Sequence, residues 1–362
     1  MTKRTRWSTF VTTVLISGLA ACSGGGGGSG GAGGNGIPTA TNAAITPPST
    51  TPIVINTAGG VPANQSIAAN SFQASGGAAN TASTASGLVT AQAGSSTQSE
   101  TLAAIVRRHA ERLKDHQPSV TGALQVQTQP CSGGGTATVA FDDASNAATE
   151  VFFHCNEGGT VLHGTLSSSN VAVGQNLGPT VGSPYTISVS ATFTVDLSVT
   201  TTVPIGNVVT QGSFTFSVVF SGNMVAGANG GVQAGTPNRV QITMFGASLL
   251  TSNGTVSEQL SNFNLSVDDN DLLGSTTVSG GYTYANTIMN GSVTVAISAL
   301  VYQPQGFAHP NSGIVNITSS ASPGASIVLS VISSSAGVSV TVSDGVTPPQ
   351  TANLSWATID SL

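Results

Sequence analysis

From residue 119 onward, hydrophobic and polar positions alternate with a period of two, the pattern of strands that bury one face. The alternation is clearest from Tyr185 to Val203, where Tyr185, Ile187, Val189, Ala191, Phe193, Val195, Leu197 and Val199 interleave with Thr, Ser and Asp196. Gly206-Asn207 follows as a two-residue turn signal. A turn there pairs Val199 with Phe214, Leu197 with Phe216, Val195 with Val218 and Phe193 with Phe220. Asn290-Gly291 likewise pairs Ile288 with Val293, Tyr284 with Ile297, Tyr282 with Ala299 and Gly280 with Val301. Asn253-Gly254 pairs Met244 with Phe263, Ile242 with Leu265 and Val240 with Val267. Near that third tip the phase flips, toward Phe245 and Leu249 on one strand and Val256 and Leu260 on the other, which predicts a hairpin that bends over to cover the opposite face. The expectation is an all-β domain over residues 119–362, a large antiparallel meander of long hairpins. Its one apolar face must be buried by closing into a sandwich, half-barrel or barrel-like shell. The pattern does not choose among the three.

Upstream the period changes to that of a helix. Leu102, Ile105, Val106, His109 and Leu113 fall on one stripe, predicting an amphipathic helix over 100–117 that ends before Pro118. Its other face carries Arg107, Arg108, Arg112 and Lys114 against Glu100, Glu111 and Asp115. Such a face suits anionic lipid or a partner. The favoured reading is a helix that packs its stripe, His109 included, on the sheet and offsets the sheet's negative charge. Residues 22–99 show no apolar period and are rich in Gly, Ala, Ser and Thr. They read as a disordered linker, with a typical span of roughly 45–55 Å.

The first 21 residues carry a targeting signal. Lys3, Arg4 and Arg6 precede a short apolar run from Trp7 to Leu19, which is too short to span a bilayer at about 20 residues. Leu19-Ala20-Ala21-Cys22 closes it. This layout resembles the lipobox of bacterial lipoproteins, with an ordinary cleaved signal as the alternative. The resemblance implies cleavage before Cys22, acyl chains such as palmitate on Cys22, and a lipid bilayer as the partner of the anchor. Ser23 after the cysteine implies the outer membrane in a host that has two. Charge excludes another partner class. Beyond residue 117 there are eleven Asp or Glu and one basic residue, Arg239, so the surface repels phosphate backbones and nucleic-acid binding is not expected.

Export leaves Cys131 and Cys155 in an oxidising compartment. They are symmetric about Asp143. A turn at Phe141-Asp142-Asp143-Ala144-Ser145 puts Val139, Phe141, Val151 and Phe153 on one face with both cysteines, so a disulfide can bridge the open end of the hairpin. The loop so closed is worth about 3 kcal/mol in the chain-entropy model. No Cys-x-x-Cys spacing favours the competing reading of two free thiols for metal or redox work.

Pro130-Cys131-Ser132-Gly133-Gly134-Gly135, Asp142-Asp143, Phe152-Phe153-His154-Cys155, Gly158-Gly159 and Leu162-His163-Gly164-Thr165-Leu166 resemble a pattern in uncharacterised β-rich lipoproteins of proteobacteria. Pro310-Asn311-Ser312-Gly313-Ile314-Val315 and Leu354-Ser355-Trp356 resemble the same family's ending. Members often carry an Asp-Gly-Asp-Gly loop before the terminal Trp, of which Asp344-Gly345 is kept here. The resemblance implies an address and no activity.

Candidate chemistry is sparse. Asp268, Asp269 and Asp271 gather oxygen ligands of the kind Ca²⁺ takes, without the spacing of an EF-hand, and a solvated turn is the favoured reading. His154 and His163 share a face if 156–159 form a turn, but no third metal ligand follows. No Ser-His-Asp grouping emerges from spacing, and the carboxylates suit no glycosidase pair. No cofactor or catalytic residue is expected. Two function classes remain: a non-enzymatic envelope lipoprotein whose sheet is a binding or structural module, and a carrier of lipid or another hydrophobic ligand in a cavity between sheet and helix. A specific protein or ligand partner is not named by the sequence.

Overall fold

Alternation over more than two hundred residues yields, among the described residues, fifteen strands. The computed structural model describes residues 40–83, His109, 124–157, 160–202, 205–227, 231–303 and 309–361. Cys22, the signal over 1–21 and the helix expected over 100–117, apart from a helical His109, lie outside the described residues. The strands are β1 (Gln125–Pro130), β2 (Thr136–Asp142), β3 (Ala147–Glu157), β4 (Thr160–Asn176), β5 (Pro184–Thr202), β6 (Ile205–Ala226), β7 (Val232–Ala234) and β8 (Arg239–Ser252). They continue with β9 (Ser257–Asn270), β10 (Ser275–Asn286), β11 (Gly291–Tyr302), β12 (Ser312–Thr318), β13 (Ser326–Ser333), β14 (Gly337–Ser343) and β15 (Gln350–Leu354). Each pairs antiparallel with its sequence neighbour, save that β6 pairs with both β8 and the short β7. The meander is open. Among the described residues its end strands β1 and β15 pair only with β2 and β14, so the sheet is not closed into a barrel.

The three expected hairpins shift their registers and keep their faces, save at the far end of the β10–β11 hairpin. β5 and β6 pair Phe193 with Phe214 and Ile187 with Phe220, and Gly206 and Asn207 lie inside β6 opposite Thr201 and Thr200. β10 and β11 pair Tyr284 with Val293 and Tyr282 with Val295, with Asn286 opposite Gly291 across the turn. β8 and β9 pair Met244 with Leu265 and Ile242 with Val267. Here Asn253 caps a longer loop, its Oδ1 accepting from the N–H of Thr255 and Val256 at 2.9 and 2.8 Å. The slips are even except beyond a bulge at Ala299 (φ 47°), where Val301 pairs with Thr277 and Leu300 with Val278; this odd slip takes Ala299 and Val301 off the inner face expected for them and puts Leu300 and Tyr302 there. A period of two fixes the face and is blind to even slips. Phe193 and Phe220, and Tyr284 and Ile297, are therefore buried on one inner face without being cross-strand partners.

The phase flip in β8 and β9 does not fold that hairpin over. Ala247 and Asn262 drop out of the ladder, Asn262 with φ 50°. This bulge returns Leu249 and Leu260 to the same cluster as Met244 and Phe263, while Phe245 points outward, 48% exposed.

At β2 and β3 the slip is odd, and the faces invert. Asp142 pairs with Ala147 and Val139 with Glu150. The cause is the turn: Asp142 accepts from Ala144 N–H and Ser145 Oγ–H, and Asn146 takes φ 49°, which lengthens the loop past the expected symmetry about Asp143. Phe152 is thus inside at 1% exposure and Phe153 outside at 49%, with Val151 on the side away from Phe152. A bulge at Phe153-His154 then restores Cys155 to the inner side opposite Leu162.

The linker expected over 22–99 is corrected as well, because residues 40–83 belong to the fold. All described residues fall in one unit, Ile37–Leu362, which begins far upstream of residue 119. A strap from Ala40 crosses the outer face: Thr165 Oγ1 donates to Ala40 O, Asn42 binds Asp196, and Ile45 N–H donates to Gln211 Oε1. It then passes the sheet end at Ser292, which exchanges backbone hydrogen bonds with Thr51 and Ile53. Helix α1 (Gly60–Ser83) follows, lying across β9 to β15. Its buried positions include Val61, Asn64, Ile67, Ala68, Ala69, Asn70, Ser71, Phe72 and Ser75. Few are large and apolar, so no hydrophobic period marks the helix. Hydrogen bonds dock it instead: Ser75 Oγ to Tyr282 OH at 2.7 Å, Asn286 Nδ2 to Asn70 Oδ1 at 3.0 Å, and Gln73 Nε2 to Ile359 O at 2.7 Å. Phe72 also packs on Trp356 of a closing helix, α2 (Trp356–Ser361), with ring centroids 5.3 Å apart.

Candidate functional site

The disulfide forms as the sequence predicts. Cys131 and Cys155 are bonded, with Cα atoms 5.4 Å apart. Glycine makes the approach possible: a Cβ at Gly135 (φ 76°) would collide with the backbone of His154, and Gly133 N–H donates to Asn156 O at 2.8 Å.

The acidic cluster does not converge on a cation. Asp268 and Asp269 are successive strand residues and point to opposite faces. Asp268 is held by Arg239 through Nε and Nη2 at 2.8 and 2.7 Å, and Asp269 accepts from Thr276 Oγ1 at 3.0 Å. Asp271 lies in the turn beyond. Among the described residues no three His, Cys, Asp or Glu side chains are grouped to hold a metal.

One grouping that spacing did not reveal lies on the inner face. His109 Nδ1 is 3.1 Å from Glu150 Oε2, and its Nε2 is 3.0 Å from Ser168 Oγ. Hydroxyl, imidazole and carboxylate thus stand in the order of a hydrolase triad. Their surroundings differ from one. Exposure is 2% for Ser168, 1% for His109 and 0% for Glu150. Ser168 Oγ also lies 3.3 Å from Ala148 O, within a regular strand. A nucleophile needs room for a carbonyl about 3 Å from its oxygen, whereas this hydroxyl is enclosed and shared between two partners. The chemistry the arrangement supports is mutual satisfaction of buried polar groups, which pins His109 to the sheet beside Phe193, 5.7 Å away. The signal was present in the chain. Glu150 and Ser168 continue the inner parity of Phe152 and Leu166, and His109 sits on an apolar stripe; polar groups at core positions must satisfy one another.

The outer face carries a second cluster. Asn42 donates from N–H to Asp196 Oδ2 at 3.0 Å, and from Nδ2 to Asp196 Oδ1 at 3.2 Å and His163 O at 3.2 Å. Gln211 Nε2 donates to the same carboxylate at 3.0 Å and to Ala43 O at 3.1 Å. His154 and His163 share this face, as expected, with stacked rings 4.3 Å apart. Burial and the neighbouring His154 hold the His163 pKa below its ordinary value, with Asp196 opposing them. Between the strap and the β8–β9 loop opens a cleft of ≈ 310 Å³, lined by residues such as Ile45, Val209, Asn253 and Ser257 and by no titratable side chain.

Among the described residues no helix is long and apolar enough to cross a membrane. Compared with protein-family models, curated proteins and solved structures, the chain matches none.

Proposed function

We propose that the protein is a non-enzymatic lipoprotein of the bacterial cell envelope, anchored by acyl chains on Cys22 to the outer membrane where the host has one. Its open sheet then acts as a binding or structural module. The observation that carries this reading is the Cys131–Cys155 disulfide. Disulfides persist in oxidising compartments, where an export signal ending at Cys22 would deliver the chain. The resemblance to β-rich proteobacterial lipoproteins supports the same address. The enclosure of Ser168, His109 and Glu150 favours a structural over an enzymatic role for the one triad-like grouping described. The inner face over β9–β15 is packed by α1, with Phe72 and Ser75 against Trp356 and Tyr282, which favours a module over a carrier with a cavity there. Labelled palmitate tests the anchor. It should enter the wild-type protein and not Cys22→Ala, and label in the variant would end the reading.

A further inference from the structure

Three neighbouring connections at the end of the sheet away from the disulfide expose apolar side chains. The β9–β10 turn presents Leu272 and Leu273 at 76% and 65% exposure, the β4–β5 loop Leu177 and Val181 at 47% and 59%, and the paired ends of β6 and β7 Val225 and Val232 at 39% and 43%. Backbone hydrogen bonds lace these connections into one rim: Gly182 N–H to Met224 O, Met224 N–H to Ser183 O, and Asp271 N–H to Asn238 O. Apolar side chains gathered on one rim mark a contact surface in a way that scattered ones do not.

We propose that this rim docks into the interfacial region of a neutral lipid bilayer, with Leu272 and Leu273 as its deepest side chains. A turn can leave water only if its backbone donors are already bonded. At this turn all four are. Asp271 N–H is bound by Asn238 O, the N–H groups of Leu272 and Leu273 by Asn270 Oδ1, and Gly274 N–H by Asp271 O. Charge selects the lipid. The only basic side chain on the strands of this region, Arg239, is taken up by Asp268, and the Asp271 carboxylate borders the leucines, so anionic headgroups are disfavoured and zwitterionic ones fit. Reach agrees. The residues from Cys22 to Ala40 span at most about 65 Å when fully extended. From Thr165, which holds Ala40, to the rim end of β4 is roughly 35–40 Å. The proposal rests on the membrane address argued above, but its test does not use the acyl chains.

The chain from Ser23 to Leu362, exported behind a cleaved signal that is not acylated, is floated with phosphatidylcholine vesicles. Wild type should float, equally at low salt and at about 0.5 M NaCl. Leu272→Ser/Leu273→Ser should reduce the bound fraction about tenfold. Ile288→Ser, an exposed apolar residue at the opposite end, should leave it unchanged. An unchanged urea midpoint confirms that the exposed double variant folds. Absence of flotation by the wild type, equal flotation of the double variant, or binding that salt removes would each overturn the proposal. So would a wild-type dimer in lipid-free solution that the double variant dissociates, since the rim would then be a contact between copies. Palmitate labelling separately reports on Cys22, so failure of the anchor and failure of the rim are distinguishable.

Discussion

A buried carboxylate that loses one of its partners destabilises a fold by more than the contact was worth, because its desolvation is then less fully offset. Glu150 is fully enclosed, and His109 is the ring that faces it. His109→Ala should therefore cost about 3–5 kcal/mol in urea denaturation, whereas Ser168→Ala, which removes one neutral bond, should cost about 1 kcal/mol. Equal, small losses would mean that water already reaches the cluster. The sequence placed His109 correctly as a packed residue. It misplaced Glu150, because symmetry about Asp143 turned the odd residues of β3 inward and left the carboxylate on the wrong side. His163 gives a test by titration. Its folded pKa lies below the ordinary 6.5, through burial first and His154 second. The stability this brings is present above the unfolded value and is lost as pH falls through the folded one. Asp196 acts in the other direction, so Asp196→Asn should lower the His163 midpoint further in an NMR titration. A rise would show that the carboxylate is not near enough to act.

Strands and helices were legible to different degrees, for reasons of chemistry. Alternation exposed the long strands β5, β6 and β8 to β11 and assigned Phe193, Phe214, Tyr284 and Ile297 to one face, since face depends only on parity. It did not give register, because Asn290 and Asn253 sit at turn positions other than those of a two-residue hairpin. The strap and α1 escaped for another reason. Both dock through backbone groups, Asn, Ser and Gln, to which a hydrophobic pattern is silent. The strap depends on one close approach. At Gly164, with φ 131°, an added Cβ would strike Asp196 O and the Asn42 amide lies just beyond. Gly164→Ala should thus force β4 from β5 and loosen the clamp on Asn42. The expected loss is on the order of 1–3 kcal/mol, together with faster proteolysis between Ala40 and Pro52. Unchanged cleavage there would show that the strap does not depend on this contact.

Across the whole unit, the correction of the fold's beginning has the largest consequence. The alternating pattern marks residues 119–362 as a domain sufficient in itself, yet the inner face of β9–β15 is covered by residues that precede it. Phe72 packs on Trp356, Ser75 meets Tyr282, Asn70 meets Asn286, and Ile55 and Val61 join the same core. Among the described residues the strands form one ladder with β1 and β15 at its edges, and no second sheet takes the place of these covering residues. A chain beginning at Ser119 should therefore expose Tyr282, Val295 and Ile317 and lose the bonds that Ser75 makes to Tyr282 and Asn70 to Asn286. It should bind a hydrophobic dye and unfold without a sharp urea transition, whereas a chain beginning at Ile37 should unfold cooperatively. Supplying residues 37–118 as a separate chain should restore cooperativity in part, limited by the entropy of association. If the chain from Ser119 instead unfolded at the same urea midpoint as the chain from Ile37, α1 would be an ornament on a sheet stable by itself, and the polar lattice at Tyr282 and Asn286 would contribute nothing to the fold.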